Sequence, residues 1–269
     1  MQVSNVLSSG KSNSINVLTL LKDLNPRMFY VGLISFLTVP AFILLSVIDI
    51  REVVGVNTWI KPIKFAISIG TFLWSMAWYL DQLKEFPKFK ERIEKYFLIS
   101  LSVELILITI QSARGVQSHF NQSSPLDGAI YSIMGMFIFP MIPVAIWMDR
   151  KFARMKSDLD PRIKVGIRFS LWIFAIASVV GVFMSARLAH SVGVPDGGPG
   201  LPLVNWSRNG GDIRIAHFLG IHSLQLLPLI SYIAVRKNWK TATVGILSLG
   251  FGLSVLAVFL HAMMGRPLL

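Results

Sequence analysis

Seven blocks of the sequence are each long and apolar enough to cross a lipid bilayer, and that recurrence constrains the fold more than any motif does. A hydrocarbon core about 30 Å thick needs about 20 mostly apolar residues at helical rise. The blocks run from Met28 to about Ile48, Pro62 to Leu80, Tyr96 to Ser112, Gly128 to Met148, Val165 to Leu188, Ile213 to Val235 and Thr243 to Met264. Lipid offers no partner to backbone N–H and C=O groups, so stretches of this length satisfy them internally as helices. The predicted fold is all-α, a polytopic membrane helix bundle of about seven transmembrane helices. Residues 28–269 form one transmembrane domain behind an N-terminal arm, residues 1–27. Composition agrees: 15% of residues are charged, against about a quarter in a soluble domain, and mean hydropathy is +0.60. Pro40, Pro140, Pro143 and Pro228 fall inside blocks, where neighbouring helices can answer the freed carbonyls, so they are expected to mark kinks and not ends.

The arm is polar apart from a short amphipathic patch, Val17 to Leu24, and carries no small-residue cleavage site after an apolar core. The first span is therefore expected to act as a retained signal anchor. With Cys 0 in the sequence, disulfides, thiolate ligands, Fe–S clusters and cysteine nucleophiles drop out. The net charge of +12 is unevenly spread. Most Lys and Arg residues sit in the arm (Lys11, Lys22, Arg27) and in the second, fourth and sixth connections, among them Lys84, Arg92, Arg150, Lys151, Arg162 and Lys237. The positive-inside rule then places the N-terminus in the cytoplasm and the C-terminus outside. No basic and aromatic interleaving suggests a nucleic-acid face; the expected contacts of this charge are membrane lipids. The WIKPIKF stretch, Trp59 to Phe65, reads as an interfacial Trp with snorkelling lysines.

The other side is where chemistry-bearing residues gather. Ser191 to Asp212 is rich in Gly and Pro and too long for a hairpin turn, so it is expected to form a cap over an outer-face site, with Trp206 beside Arg208 as an aromatic plate and a cation. Asp212 reads as the cap of the sixth span. All five histidines, His119, His190, His217, His222 and His261, fall in the outer half, and imidazole in a span points to a ligand site or proton path. His217 and His222 are about 140° apart around a straight helix, and so face different neighbours. His222 lies a turn before Gln225, and His190 three residues after Arg187. Along the third span Glu104, Ile108, Gln111, Gly115 and Ser118 recur at helical spacing on one face. A carboxyl there needs a proton or a cation, which makes Glu104 a hydrogen-bond donor, a proton relay or half of an ion pair. The outer arginines Arg114, Arg187, Arg208, Arg214 and Arg266 could receive carboxylates or phosphates.

At GDIRIAHFLGIHSLQLLPL, Gly211 to Leu229, and WIKPIKFAIS, Trp59 to Ser68, the chain resembles a group of uncharacterised bacterial multispan inner-membrane proteins sharing a GDxRxAHFxGxHxxQ-like stretch. The resemblance covers about a tenth of the chain and implies a multi-pass place in the bacterial inner membrane but no activity. The paired histidines of the seven-helix zinc hydrolases of the ceramidase and adiponectin-receptor type are not matched by the lone His261. Three functions fit these residues, and whether the chain is an enzyme stays open. The first is a redox protein with haem b between outer-half histidines, Arg114, Arg187, Arg214 and Trp206 binding the cofactor, and Glu104 and Gln111 passing protons to a quinone-like partner. The second is a non-haem metal enzyme with Zn, Fe or Cu on the histidines. The third is a transporter, receptor or assembly protein with pH-sensitive histidines.

Overall fold

The computed structural model describes residues 17–156, 158–198 and 200–268; the arm before Val17, with Lys11, lies outside the described residues. Helix α1 (Val17–Leu24) takes up the amphipathic patch and packs on the first two long helices. Helix α2 (Pro26–Ile48) starts where Asn25 caps it, its side chain accepting from the Met28 N–H at 3.0 Å, with Pro26 in the first turn. There follow α3 (Ile60–Gln82), α4 (Pro87–Arg114), α5 (Pro125–Ile138), α6 (Met141–Arg154), α7 (Pro161–Arg187), α8 (Ile213–Ile221), α9 (Ser223–Arg236) and α10 (Thr241–Met263). Six of these spans, counting α5 with α6 as one, are long and apolar enough to cross a membrane, and a seventh follows if the bent pair α8 and α9 is one span. The chain is a polytopic membrane helix bundle.

Three spans differ in length or in the place of their break from the expected ones, and α2 runs on through Pro40. The third is longer: α4 continues backward to Pro87, because the Lys- and Arg-rich segment before Tyr96 is itself helical. The fourth is split at Phe139 and Pro140, and its loose Phe137 carbonyl accepts from the Tyr96 hydroxyl at 2.8 Å and the Ser100 hydroxyl at 3.1 Å. The sixth bends by 46° at His222, not at Pro228, which sits within α9. Pro228 has no N–H for the Leu224 carbonyl. That carbonyl instead accepts from the Tyr79 hydroxyl at 2.9 Å, and Ser170 Oγ lies 2.7 Å from the same hydroxyl.

Helix α3 is central, with 44% of its most apolar stretch buried against 17% for α2 and for α10, which face outward. Its Leu73, Met76, Tyr79 and Leu80 meet Phe97 of α4, Phe152 of α6, Leu171 of α7 and Leu224 of α9 in the main core. Small residues set the α7 contacts: Gly166 admits Ser231 and the Leu227 carbonyl of α9, and Gly220 of α8 sits on Ala177. With no hydrophobic drive between helices in lipid, such close backbone approach supplies the packing.

The connections sort to two ends. At one, a hairpin of β1 (Glu52–Val53) and β2 (Val56–Asn57) meets the segment 189–212. That segment is a folded cap: β3 (Ser191–Val192) pairs antiparallel with β4 (Gly211–Asp212), and Gly200 bridges to Ser207. Asn205 Nδ2 donates to the Val54 carbonyl at 3.4 Å, and Gly55 abuts Gly197, both with positive φ. Arg51 reaches the α4 end, donating to the Ala113 carbonyl at 3.0 Å. At the other end lie the basic connections, where Lys156 N–H donates to the Glu85 carboxylate at 3.1 Å and Arg162 to the Trp239 carbonyl at 3.1 Å.

Candidate functional site

Glu104 sits on the inner face of α4, 3% exposed. Gly115, at φ 71°, ends that helix with the left-handed turn that glycine tolerates best. The chain then folds back so that His119 faces the carboxyl, Nε2 to Glu104 Oε1 at 3.2 Å. The other ring nitrogen, Nδ1, lies 3.1 Å from Lys61 Nζ and 3.2 Å from Ser118 Oγ. An ammonium can only donate, so neutral His119 accepts at Nδ1 and carries its proton on Nε2, toward Glu104. Burial and the Lys61 charge hold the His119 imidazole below the ordinary histidine range, with Glu104 opposing them. Among the described residues, Glu104 Oε2 and Ser248 Oγ are the buried side-chain atoms without a hydrogen-bond partner.

Two further cations approach from above. Lys64, one turn after Lys61, points to the Val204 carbonyl of the cap at 3.5 Å. Arg214 is held by Asp212, Nε to Oδ1 at 2.9 Å and a terminal nitrogen to Oδ2 at 2.6 Å, and donates also to the Asn205 carbonyl. Asp212 caps α8, accepting from the Arg214 N–H at 3.0 Å, as its position before the apolar run implies. Lys61 and Lys64 both lie within electrostatic reach of Arg214. His190 Nδ1 is 3.3 Å from Asp196 and 3.9 Å from Asp212. Burial and the Arg214 charge push His190 down to about 4 against the pull of both carboxylates. Trp206 packs edge-on to Phe218 at 5.6 Å, and Phe218 on the His222 ring at 4.4 Å.

His217 and His222 complete the floor. His217 Nδ1 meets the Ala177 carbonyl at 2.7 Å, and its ring fills the place of a missing side chain at Gly181, where a Cβ would come within 2.9 Å of Cε1. His222 Nδ1 meets Gln225 Oε1 at 3.2 Å, and Gln225 Nε2 donates to Ser75 Oγ of α3 at 2.9 Å. Both Nδ1 atoms face acceptors, so the neutral rings carry their protons there and leave Nε2 as a lone pair. His119 and His222 both act electrostatically on His217. The site is thus built by the start of α3, the middle of α4, the residue 115–124 turn, the α8–α9 break and the underside of the cap.

Other candidate residues fall elsewhere. Gln111 and Arg114 both donate to Asp127, at 2.9 and 2.6 Å, in a network with Ser124 at the head of α5. Arg187 lies over the Phe183 ring and donates to the Ser191 carbonyl at 3.4 Å. His261 Nε2 meets the Pro267 carbonyl at 3.0 Å, and Arg208 and Arg266 are exposed. The helix-face stripe stops at Gln111, since α4 ends at Arg114 and Ser118 belongs to the turn. His190 likewise lies past the end of α7 and not on its face. The reading of WIKPIKF as an interfacial anchor is corrected: Trp59 is buried against Phe42 with its indole N–H on Asp49 at 2.9 Å, and both lysines turn inward. The visible signal for those lysines was their i, i+3 spacing, which puts them on one face. Among the described residues no three His, Asp or Glu side chains come together as a metal-holding set. No family model, curated protein or solved structure matches the chain.

Proposed function

We propose that the protein is a proton-coupled carrier of a small anion, lying in the bacterial inner membrane with its N-terminus and basic end in the cytoplasm and the capped site outside. The observation that carries this reading is the Glu104 carboxylate, buried in a span with one oxygen on His119 and the other bare. Ionisable groups in a membrane interior mark ion and proton paths. Glu104, His119 and Lys61 form a chain in which a proton can pass between carboxylate and imidazole while the ammonium holds the ring's far side. Lys61, Lys64 and Arg214 give that chain a cationic roof suited to a carboxylate or phosphate. The span broken at His222 adds a second support, because interrupted helices with side chains at the break are where carriers build their sites.

In liposomes loaded with a pH-sensitive dye, inward gradients of small carboxylates and of inorganic phosphate are expected to drive internal acidification for at least one anion. Glu104→Gln should abolish it. Reconstituted protein that moves neither anion nor proton across the whole panel would contradict the carrier.

A second reading, haem b held in the outer half, is favoured by one observation: the Nδ1 atoms of His217 and His222 face acceptors, the arrangement that fixes a ligating imidazole and presents Nε2. His217 or His222 would hold the haem iron through Nε2, and Arg214 or Lys64 would hold a propionate, the group supplying one-electron chemistry when bound. A quinone-like partner would then receive the electrons. Purified protein would show a Soret band that His222→Ala weakens, and would move no anion.

A further inference from the structure

At the basic end, α4 outruns its apolar span, and its first turns lie beside the last turns of α6. Between them is a shallow cleft lined by Phe89, Arg92, Trp147, Arg150, Lys151 and Arg154. Its floor is aromatic: the Lys151 ammonium lies 4.5 Å from the centre of the Phe86 ring and 5.5 Å from that of Phe89. The nearby carboxylates are taken elsewhere, Glu91 by Lys95 at 2.7 Å, Glu94 by Arg27 at 3.5 Å and Asp149 by Arg168 at 2.8 Å. Among the described residues no ion pair holds Arg92, Arg150, Lys151 or Arg154. Trp147, 51% exposed, stands about two turns below Arg154 along α6, on the side toward the hydrocarbon.

We propose that this cleft binds one phospholipid with an anionic headgroup, its phosphate among Arg92, Arg150 and Arg154 and an acyl chain running down past Trp147. Charge selects the headgroup, because cations lining one cleft gain from a shared anion. The apolar floor selects a lipid over a soluble anion, since a free phosphate would leave Phe89 and Trp147 uncovered. Basic hollows between spans at the cytoplasmic boundary are a known form of lipid headgroup site.

The test uses the full chain in mild detergent, with bound lipid read by native mass spectrometry after adding phosphatidylglycerol, cardiolipin or phosphatidylcholine. The anionic lipids are expected to be retained and phosphatidylcholine not. Replacing Arg92, Arg150 and Arg154 together by Gln should lower anionic-lipid affinity on the order of a hundredfold. A charge-matched control, Arg236→Gln with Lys237→Gln and Lys240→Gln, should leave it within about twofold. The single Arg150→Gln change, with helix content checked by circular dichroism, repeats the comparison in a nearly native protein. Equal loss in both triple variants would mean diffuse charge attraction and overturn the site. Displacement of the lipid by millimolar inorganic phosphate would assign the cleft to a soluble anion and overturn it too, as would equal retention of phosphatidylcholine.

Discussion

A carboxylate oxygen without a partner inside a membrane bundle is costly, and at Glu104 the cost is left standing beside a histidine and within electrostatic reach of one lysine, Lys61. Glu104→Gln keeps the His119 contact and removes the charge, so the variant is expected to melt no lower than the parent, and up to about 1 kcal/mol more stable, while losing proton coupling. Thermal unfolding in detergent checks this; a marked loss of stability would give Glu104 a structural role. Tyr79 offers an independent check on the bundle. Tyr79→Phe leaves the Leu224 carbonyl bare and should cost about 1–3 kcal/mol, but Pro228→Ala restores the missing N–H. The two changes together should therefore cost less than their sum, a coupling a double-mutant cycle measures. At this scale the sequence exposes Glu104, His217 and His222, because ionisable groups in apolar blocks stand out, and His119 through the gathering of all five histidines in the outer half. It hides Lys61 and Lys64, since a lysine at a span mouth looks the same whether it snorkels outward or turns in.

Among elements, the cap and the α8–α9 break decide the site. The cap hangs on Asp212, which receives Arg214 and the Ser207 N–H at 2.9 Å and neighbours His190. Burial and the Arg214 charge push His190 down to about 4 in the folded protein, below the 6.5 or so of an unfolded histidine. The unfolded chain therefore binds the extra proton first as pH falls, and stability drops between about pH 6.5 and 4. His119, also held low, adds the same sign. The melting temperature is expected to fall by roughly 5 °C from pH 7 to pH 5, and His190→Asn should shrink that fall; a rise on acidification would contradict the assignment. Gly181→Ala should push the His217 ring from its seat with little change in helix content. The folded segment 189–212 was legible from its Gly and Pro content, whereas Pro140, read as a kink, stands at a break between two helices. The bend at His222 was not legible, because no Pro stands there and Gly220, two residues before it, sits where α8 packs on Ala177, while Pro228, which does look like a breaker, is answered by Tyr79.

Over the whole molecule, the multi-span helical character followed from hydropathy, which acts on long stretches and needs no partner to be known; six spans stand by length and composition, and a seventh if α8 and α9 count as one. The site did not follow in this way, because it joins α3, α4, α8 and the cap, and side-chain contacts across so many elements leave no periodic trace. The chain has Cys 0, so single cysteines report topology directly. With Asn209→Cys and Lys156→Cys, an impermeant thiol reagent applied to intact cells is expected to label the first and not the second; the reverse would invert the bundle.

The most direct measurement is proton exchange on binding. In weakly buffered detergent solution with a pH indicator, adding the anion that drives flux is expected to change proton binding by about one per protein. Glu104→Gln should bind the anion with no proton change. The same proton signal in Glu104→Gln, or none in the parent protein, would contradict a proton-coupled site at Glu104 and His119.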